Sequence, residues 1–547
     1  MIIDHDKVME AKEILGDRNA TLMAEMLQLE DYDENNMKAL CCFHAEDTPS
    51  LIYNPKNYTF HCFGCQKTVD IIDVFMQTQN CTYIEAVKKL FFMLAIPAIL
   101  SQLVNALYNM VDRMYIGHIA DVGATALTGV GVCFPIIMII SAFAQLVGTG
   151  GSPRASIFMG RGDDKSAEKI LGNCFTSLLL CSIILTIVVI VFQKPLLLAF
   201  GASENTLPYA QQYMFIYALG TLFVQMTLGM NAFISAQGFS KISMLTVVIG
   251  AIINIVLDPL LIFVLKLGVQ GAALATVLSQ GISCVWVLCF LNGSKTRLHL
   301  HKANMSIQTK ILLPCIALGT APFIMQATES LLVLCFNSSL LRYGGDLAVG
   351  AMTILSSLMQ FAMLPLSGFT QGAQPIISYN YGANQAKRVK QAFRILMISC
   401  LSYAAIMWLI CMAVPQLPTA VFTSDVALSD ITIWAIRIYM AGSILMGAQI
   451  ACQQTFIALG NAKTSAFLAL FRKILVLIPL IYLLPMFFTD KVFAVFLAEP
   501  IADTLAVMTT VILFVRYFRN LLQDMEAKET HSYEECDALN EYHESME

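Results

Sequence analysis

The sequence predicts an all-α polytopic membrane protein, with twelve transmembrane helices in two six-helix lobes, preceded by a small α+β zinc-binding head. Three observations carry that expectation. From about residue 91 to residue 516 the chain is almost continuously apolar. Landmarks in the first half of that stretch recur in the second at one fixed offset, and two Cys/His knuckles lie upstream of it. Composition agrees: of 547 residues 57% are hydrophobic and only 13% charged, with mean hydropathy +0.68, whereas soluble domains carry about 25% charged residues. Charge is unevenly spread. Residues 1–90 hold 8 Lys/Arg against 15 Asp/Glu, residues 91–520 hold 24 against 14, and residues 521–547 hold 1 against 9. The chain thus has an acidic head, a basic membrane body and an acidic tail.

In the head, Cys41-x2-His44 and Cys62-x2-Cys65 are separated by seventeen residues. Two such knuckles supply four ligands and close a tetrahedral structural Zn2+ site, leaving no open position for catalysis. "SLIY-NPKN-YTFHC" between them predicts a hairpin, two β-rich runs around an Asn-Pro turn. Cys42 and His61 are competing ligands. The first apolar stretch begins too late for a cleavable signal peptide, and residues 1–30 are polar and acidic. The head (residues 1–90) is therefore expected in the cytoplasm, where thiols stay reduced and free to bind metal. Most other cysteines, such as Cys174, Cys181, Cys284 and Cys400, lie singly in apolar runs as packing residues.

A spanning helix needs about 20 apolar residues. Twelve stretches qualify, at about 92–117, 126–150, 170–193, 210–235, 243–266, 270–292, 310–337, 346–370, 391–415, 433–457, 465–486 and 491–516. They divide into a first lobe (91–292), a linker (293–309) and a second lobe (310–520), with a tail (521–547) too acidic and apolar-poor to fold beyond a first turn. With the N-terminus inside, the inward loops hold twelve basic residues, among them Arg161, Lys165, Lys241, Lys295, Lys387 and Lys463. The outward loops hold Lys194, Lys266, Arg342 and Lys491. That asymmetry places both termini in the cytoplasm. The repeat is read from Pro153/Pro375, Gly160/Gly382, Phe200/Phe422, Gly238/Gly460 and Lys241/Lys463, each pair 222 residues apart. Six helices duplicated in parallel make two lobes about an axis along the membrane normal, an arrangement suited to alternating access with the site between lobes.

Carboxylates inside spans are costly in hydrocarbon and mark pathways. Asp112 lies in "NALYNMVDRMYIG", with Asn105 and Asn109 on the same helical face; Asp258 lies in "IINIVLDPLLIF", with Asn254 one turn away. Both acids fall roughly 22–30 Å along their spans from the inner ends, a shared depth that points to a proton or Na+ site, with simple packing as the alternative. Glu329, with Gln326 on its face, is a candidate for a cationic substrate or a coupling ion in the second lobe. Asp503 and Glu499 follow, with the alternative that they only pair with Arg437, Arg472 or Lys473. No phosphate loop, nucleophile motif or catalytic metal site marks an enzyme.

The segments "LAIPAILSQLVNALYNMVDRMYIGHI", "QGFSKISM", "IINIVLDPLLIF", "LPLSGFTQGAQPIISYNYGA" and "EPIADTLAV" resemble the multidrug and toxic compound extrusion (MATE) family, most of all its bacterial MepA-like branch, over about residues 91–520. The resemblance implies a two-lobe antiporter of the bacterial plasma membrane, expected as a monomer, that exports organic cations or drugs in exchange for H+ or Na+. It matches Asp112 to the family's first-helix aspartate, and Asn254 and Asp258 to its fifth-helix pair. Glu329 falls near a seventh-helix acid of part of the family. The head is similar to the CHC2-type zinc ribbon of primases: "CCFH", "TPS" and "CFGC" occur in that order, with Cys42 where Pro is usual. In primases this module helps contact template DNA. Here the head's excess of acids opposes phosphate binding, so nucleic acid is the weaker expectation and an accreted head, joined by fusion near Lys89–Phe92, the stronger. Two other functions compete: a lipid-linked saccharide flippase of the same superfamily, whose cavity would need Arg/Lys for pyrophosphate, and a DNA-binding module tethered to the membrane.

Overall fold

The computed structural model describes residues 38–40, 51–54, 59–62, 68–69, 83–119, 122–422 and 426–544. In the head, β1 (Lys38–Ala39), β2 (Leu51–Asn54), β3 (Thr59–Cys62) and β4 (Thr68–Val69) form one antiparallel sheet in that order. The expected hairpin is β2–β3, with Leu51 opposite Cys62 and Asn54 opposite Thr59.

Helix α1 (Tyr83–Gly117) passes through the Lys89–Phe92 junction without a break. Phe91 is only 1% exposed and stacks on Phe369, 6.4 Å between centroids. The first lobe continues with α2 (Gly123–Gly160), α3 (Asp164–Val191), the short α4 (Gln193–Ala199), α5 (Leu207–Leu219), α6 (Thr221–Ala236), α7 (Ser240–Pro259) and α8 (Val269–Leu291). Asp163 caps α3 by accepting from the Ser166 backbone N–H at 3.0 Å. After a linker containing one 3-10 turn (Lys302–Asn304) come α9 (Thr309–Ala327), α10 (Glu329–Gly382), α11 (Ala386–Ala413), α12 (Gln416–Phe422), α13 (Val426–Tyr439), α14 (Ser443–Ala458), α15 (Ala462–Leu470), α16 (Ile478–Phe487) and α17 (Lys491–Glu544). α10 holds the end of the span that begins in α9 and the whole of the next, the chain turning between them at Gly345, whose φ of 67° lies in the left-handed region glycine tolerates.

Among the described residues ten helical stretches are long and apolar enough to span, and two bent pairs, each counted as one span, bring the number to twelve: α5–α6, bent 55°, and α13–α14, bent 50°. The first bend falls at Gly220 and the second ends at Gly442, which are 222 residues apart, so the repeat extends to its kinks. One departure from expectation is at the C-terminus. α17 carries on through the acidic tail to Glu544, where a disordered tail was expected. Past Phe518 the tail contains neither Gly nor Pro to stop a helix.

Each lobe buries large apolar clusters. In the first they centre on Leu171, Cys174 and Phe233 and on Ile140, Tyr213 and Met214; in the second, on Leu396, Phe456 and Phe514 and on Ile481, Val495 and Phe496. Large apolar side chains such as Ile184, Val256, Leu334, Leu409 and Met486 are exposed instead, as befits a lipid-facing surface. The lobes meet where backbones cross at glycines. A Cβ on Gly150 of α2 would overlap the Cys315 carbonyl of α9, and one on Gly372 of α10 would lie 2.6 Å from Ala95 Cα of α1. Cβ atoms on Gly160 and Gly382 would strike the carbonyls of Tyr379 and Ile157 respectively, a crossing that maps onto itself under the 222-residue offset. These crossings lie toward the end of the bundle that carries the linker, where Thr176 donates to the Met305 carbonyl at 2.7 Å and Arg297 pairs with Asp164 at 2.9 Å.

Candidate functional site

The first-lobe site is built by α1, α7 and α8, with α1 packed along α7. Asp112 is 8% exposed, and Asn254 and Asp258 are fully buried. The Asp112 and Asp258 carboxyls lie within hydrogen-bonding reach of one another. Asn254 Nδ2 approaches Asp258 Oδ1 at 3.4 Å and Thr276 Oγ1 at 3.5 Å. Asp112 Oδ1, Asn254 Oδ1 and Asp258 Oδ2 are buried with no hydrogen-bond partner among the described residues. Such oxygens are costly unless a proton or cation satisfies them, and an all-oxygen set suits a hard ion. Local structure aims Asp258. Pro259 supplies no N–H to α7, and the helix widens into a π turn over Leu260–Val264, with the Leu265 N–H bonded to the Leu260 carbonyl five residues back at 2.9 Å. Such turns interrupt helices at functional sites.

The sequence placed Asn105 and Asn109 on this face, and the structure does not bring them to the carboxylates. Asn105 is exposed, and Asn109 donates its amide to the Asn105 backbone carbonyl at 2.6 Å. It brings in three residues that sequence reasoning missed. Thr276 bridges α8 to Asn254, while Tyr108 and Tyr213 lie close to Asp112. Tyr108, one turn before Asp112, was open to discovery by helical spacing alone. Arg113 stands over the Phe134 ring, 4.8 Å from its centroid.

In the second lobe the charges are paired. Arg472 Nε donates to Asp503 Oδ1 at 2.8 Å, and its terminal nitrogen reaches Glu499 Oε1 at 3.1 Å. Lys473 donates to the Met325 carbonyl at 2.7 Å and to the Glu329 carboxylate. A second π turn, Phe471–Leu477, separates α15 from α16 and carries both cations. Asp503, offered by the sequence as a coupling candidate, is thus held by Arg472, with Oδ2 left unpartnered. Gln326 does not join Glu329; it donates to Met138 Sδ of the first lobe at 3.1 Å.

Of the four zinc ligands expected from the sequence, Cys62 ends β3 and is buried, whereas Cys41, His44 and Cys65 lie outside the described residues. Among the described residues no group of three His, Cys, Asp or Glu side chains is assembled for a metal.

Comparison with known proteins gives two family matches. Residues 16–103 match the CHC2 zinc finger model, and residues 97–260 and 321–483 match the MatE model, one copy in each lobe. The Multidrug export protein MepA of Staphylococcus haemolyticus is 24% identical over 439 residues, covering 79% of this chain and 95% of that protein. MepA of Staphylococcus aureus strain NCTC 8325 is 23% identical over 450 residues, covering 80% and 97%. Among solved structures, one described as the outward-facing conformation of a multidrug resistance MATE family transporter superposes with TM-score 0.74 at 22% identity, over 79% of this chain and 96% of that one. A MATE crystal structure in the bent conformation superposes with TM-score 0.76 at 22% identity, over 80% and 97%. With both lobes matched to the same model across most of the membrane body, this chain belongs to the MATE family.

Proposed function

We propose that the chain is a secondary active antiporter that exports organic cations or drugs across a bacterial plasma membrane in exchange for H+ or Na+. The observation that carries this reading is the buried pair Asp112–Asp258, whose unpartnered oxygens call for a small hard cation. The substrate class is supported by the relatives, which are named as multidrug export proteins. A coupling ion moves such a transporter only if it binds one conformation better than the other. Neutralising two adjacent carboxylates changes how α1 packs on α7, and α1 also crosses α10 of the other lobe at Gly372, so the ion's effect reaches the contact between lobes. With the basic loops and both termini facing the cytoplasm, the glycine crossings would close the cytoplasmic side. A flippase for lipid-linked saccharides would need unpaired cations for pyrophosphate, whereas Arg472 and Lys473 are committed to carboxylates.

In the head, a structural Zn2+ held by Cys41, His44, Cys62 and Cys65 would tie the hairpin to its flanking knuckles, three thiolates and one imidazole making a tetrahedral set. The head is read as an accreted unit on a monomeric transporter, and DNA contact remains the weaker role for an acidic surface. The functional test is ethidium efflux from energised, efflux-deficient bacteria making wild type or Asp258→Asn at matched membrane levels. Efflux by wild type that is lost in the variant is expected. Equal efflux by both would remove Asp258 from the coupling site.

A further inference from the structure

The second lobe holds a charge arrangement that export as such does not explain. Lys473 is buried, its side chain 8% exposed, yet its carboxylate partner Glu329 is 60% exposed. Burial makes the ammonium depend on its partner, while the carboxylate is open to visitors. Glu329 opens α10 just past the break at Thr328, three residues after Gln326, which touches Met138 of the first lobe. The Glu329 carboxylate thus sits three residues from a side chain that crosses to the other lobe.

Behind Lys473 lies a second acidic station. The π turn sends the adjacent residues Arg472 and Lys473 to different helices, Arg472 to Asp503 and Glu499 on α17, and Lys473 to Met325 and Glu329. Three carboxylates therefore share two cations. Asp503, 1% exposed, keeps Oδ2 without a partner, and Glu499 lies within electrostatic reach of Lys473.

We propose that Lys473 is a tethered competitor that sets substrate selectivity in the second lobe: its ammonium holds Glu329, and a monovalent organic cation binds there only by displacing it toward Glu499 and Asp503. The displaced lysine enters a pocket already short of positive charge, so displacement does not strand it. A weakly hydrated cation with a broad apolar surface gains from leaving water and displaces the ammonium; a small, strongly hydrated one does not. Without such a device, an exposed carboxylate would accept any cation that reached it.

The inference rests on the export reading for its substrate class, and its test separates the two. Tetraphenylphosphonium binding is measured on the purified full-length chain in lipid nanodiscs for wild type, Lys473→Met, Lys473→Arg, Glu329→Gln and the Lys473→Met/Glu329→Gln double variant. Lys473→Met should bind about tenfold more tightly than wild type, Lys473→Arg close to wild type, and the double variant should lose the gain. Lys473→Gln, which keeps a donor for the Met325 carbonyl, substitutes if the Met variant does not reach the membrane folded. Binding by Lys473→Met that is equal to or weaker than wild type, or a gain that survives in the double variant, overturns the proposal. Wild-type ethidium efflux judges the export reading independently of either result.

Discussion

Gly372 gives direct access to the closure between the lobes. A Cβ there would lie 2.6 Å from Ala95 Cα and 2.7 Å from Ala95 N, where non-bonded atoms prefer about 3.5–4.0 Å. Gly372→Ala must therefore part α1 from α10 by about 1 Å at their crossing. Overpacking of this kind costs about 1–3 kcal/mol. Because the crossing joins one lobe to the other, the cost falls on the closed arrangement and spares the core of each lobe. The ratio of closed to open forms then drops about 5- to 150-fold. Cys315 is the natural reporter, fully buried with its carbonyl against Gly150 at the repeat-related crossing. In a background where Cys315 is the sole cysteine, maleimide labelling from the linker side should accelerate by the same factor in Gly372→Ala. It should stay at the parent rate in Gly131→Ala, where an added Cβ meets nothing within 4 Å. Melting temperatures guard against labelling through unfolding. If Gly372→Ala labels no faster than Gly131→Ala, the crossing does not hold the lobes closed and the reasoning fails.

Two further expectations concern the head and its junction. Cys62→Ser should bring bound zinc, measured by mass spectrometry on the purified chain, from about one ion per chain to near zero while ethidium efflux persists; full zinc retention would remove Cys62 from the ligand set. Phe91→Ala should cost about 3–5 kcal/mol, read as a lower melting temperature in detergent, because the ring is 1% exposed and stacks on Phe369. An unchanged melting temperature would mean that the junction helix is anchored elsewhere.

The spans and the duplication were legible because each leaves a strong mark: long apolar runs for one, and Gly, Pro and Lys at a common offset for the other. The interruptions inside helices were not. Thr328, the π turn after Pro259 and the π turn at Phe471 are set by how neighbouring helices satisfy freed backbone groups, which no local propensity encodes. Charge made Asp112, Asp258, Glu329 and Asp503 visible in an apolar background. Thr276 and Tyr213, being neutral and set among ordinary span residues, left no such mark. Asn105 and Asn109 shared helical spacing with Asp112, but spacing fixes only the angle around the axis. Asn109 settles its amide on its own helix, and Asn105 stays exposed. The junction at Lys89–Phe92 looked like a seam in composition, yet α1 crosses it unbroken because "YIEAVKKL" forms helix as readily as the span it precedes.

The offset of 222 residues separates what the lobes share from what they do not. Backbone devices recur: bends at Gly220 and Gly442, positive-φ glycines at Gly238 and Gly460, and the mutual crossing of Gly160 and Gly382. The ionisable residues of the two candidate sites do not. Asp112 maps onto Leu334, Asp258 onto Leu480, Glu329 onto Leu107, Lys473 onto Ala251, Glu499 onto Val277 and Asp503 onto Gly281. Rocking of one lobe against the other needs the two halves to bend and cross alike, which accounts for the retained glycines. Charge is under no such demand, and it follows opposite rules in the two lobes. The first leaves two carboxylates facing each other with oxygens unpartnered, a site that lacks a small cation. The second neutralises most of its acids internally and exposes one carboxylate held by a movable lysine. On the proposed reading, coupling ion and exported cation therefore do not compete for one site. Each acts in its own lobe, and the shared backbone carries the effect of one to the other.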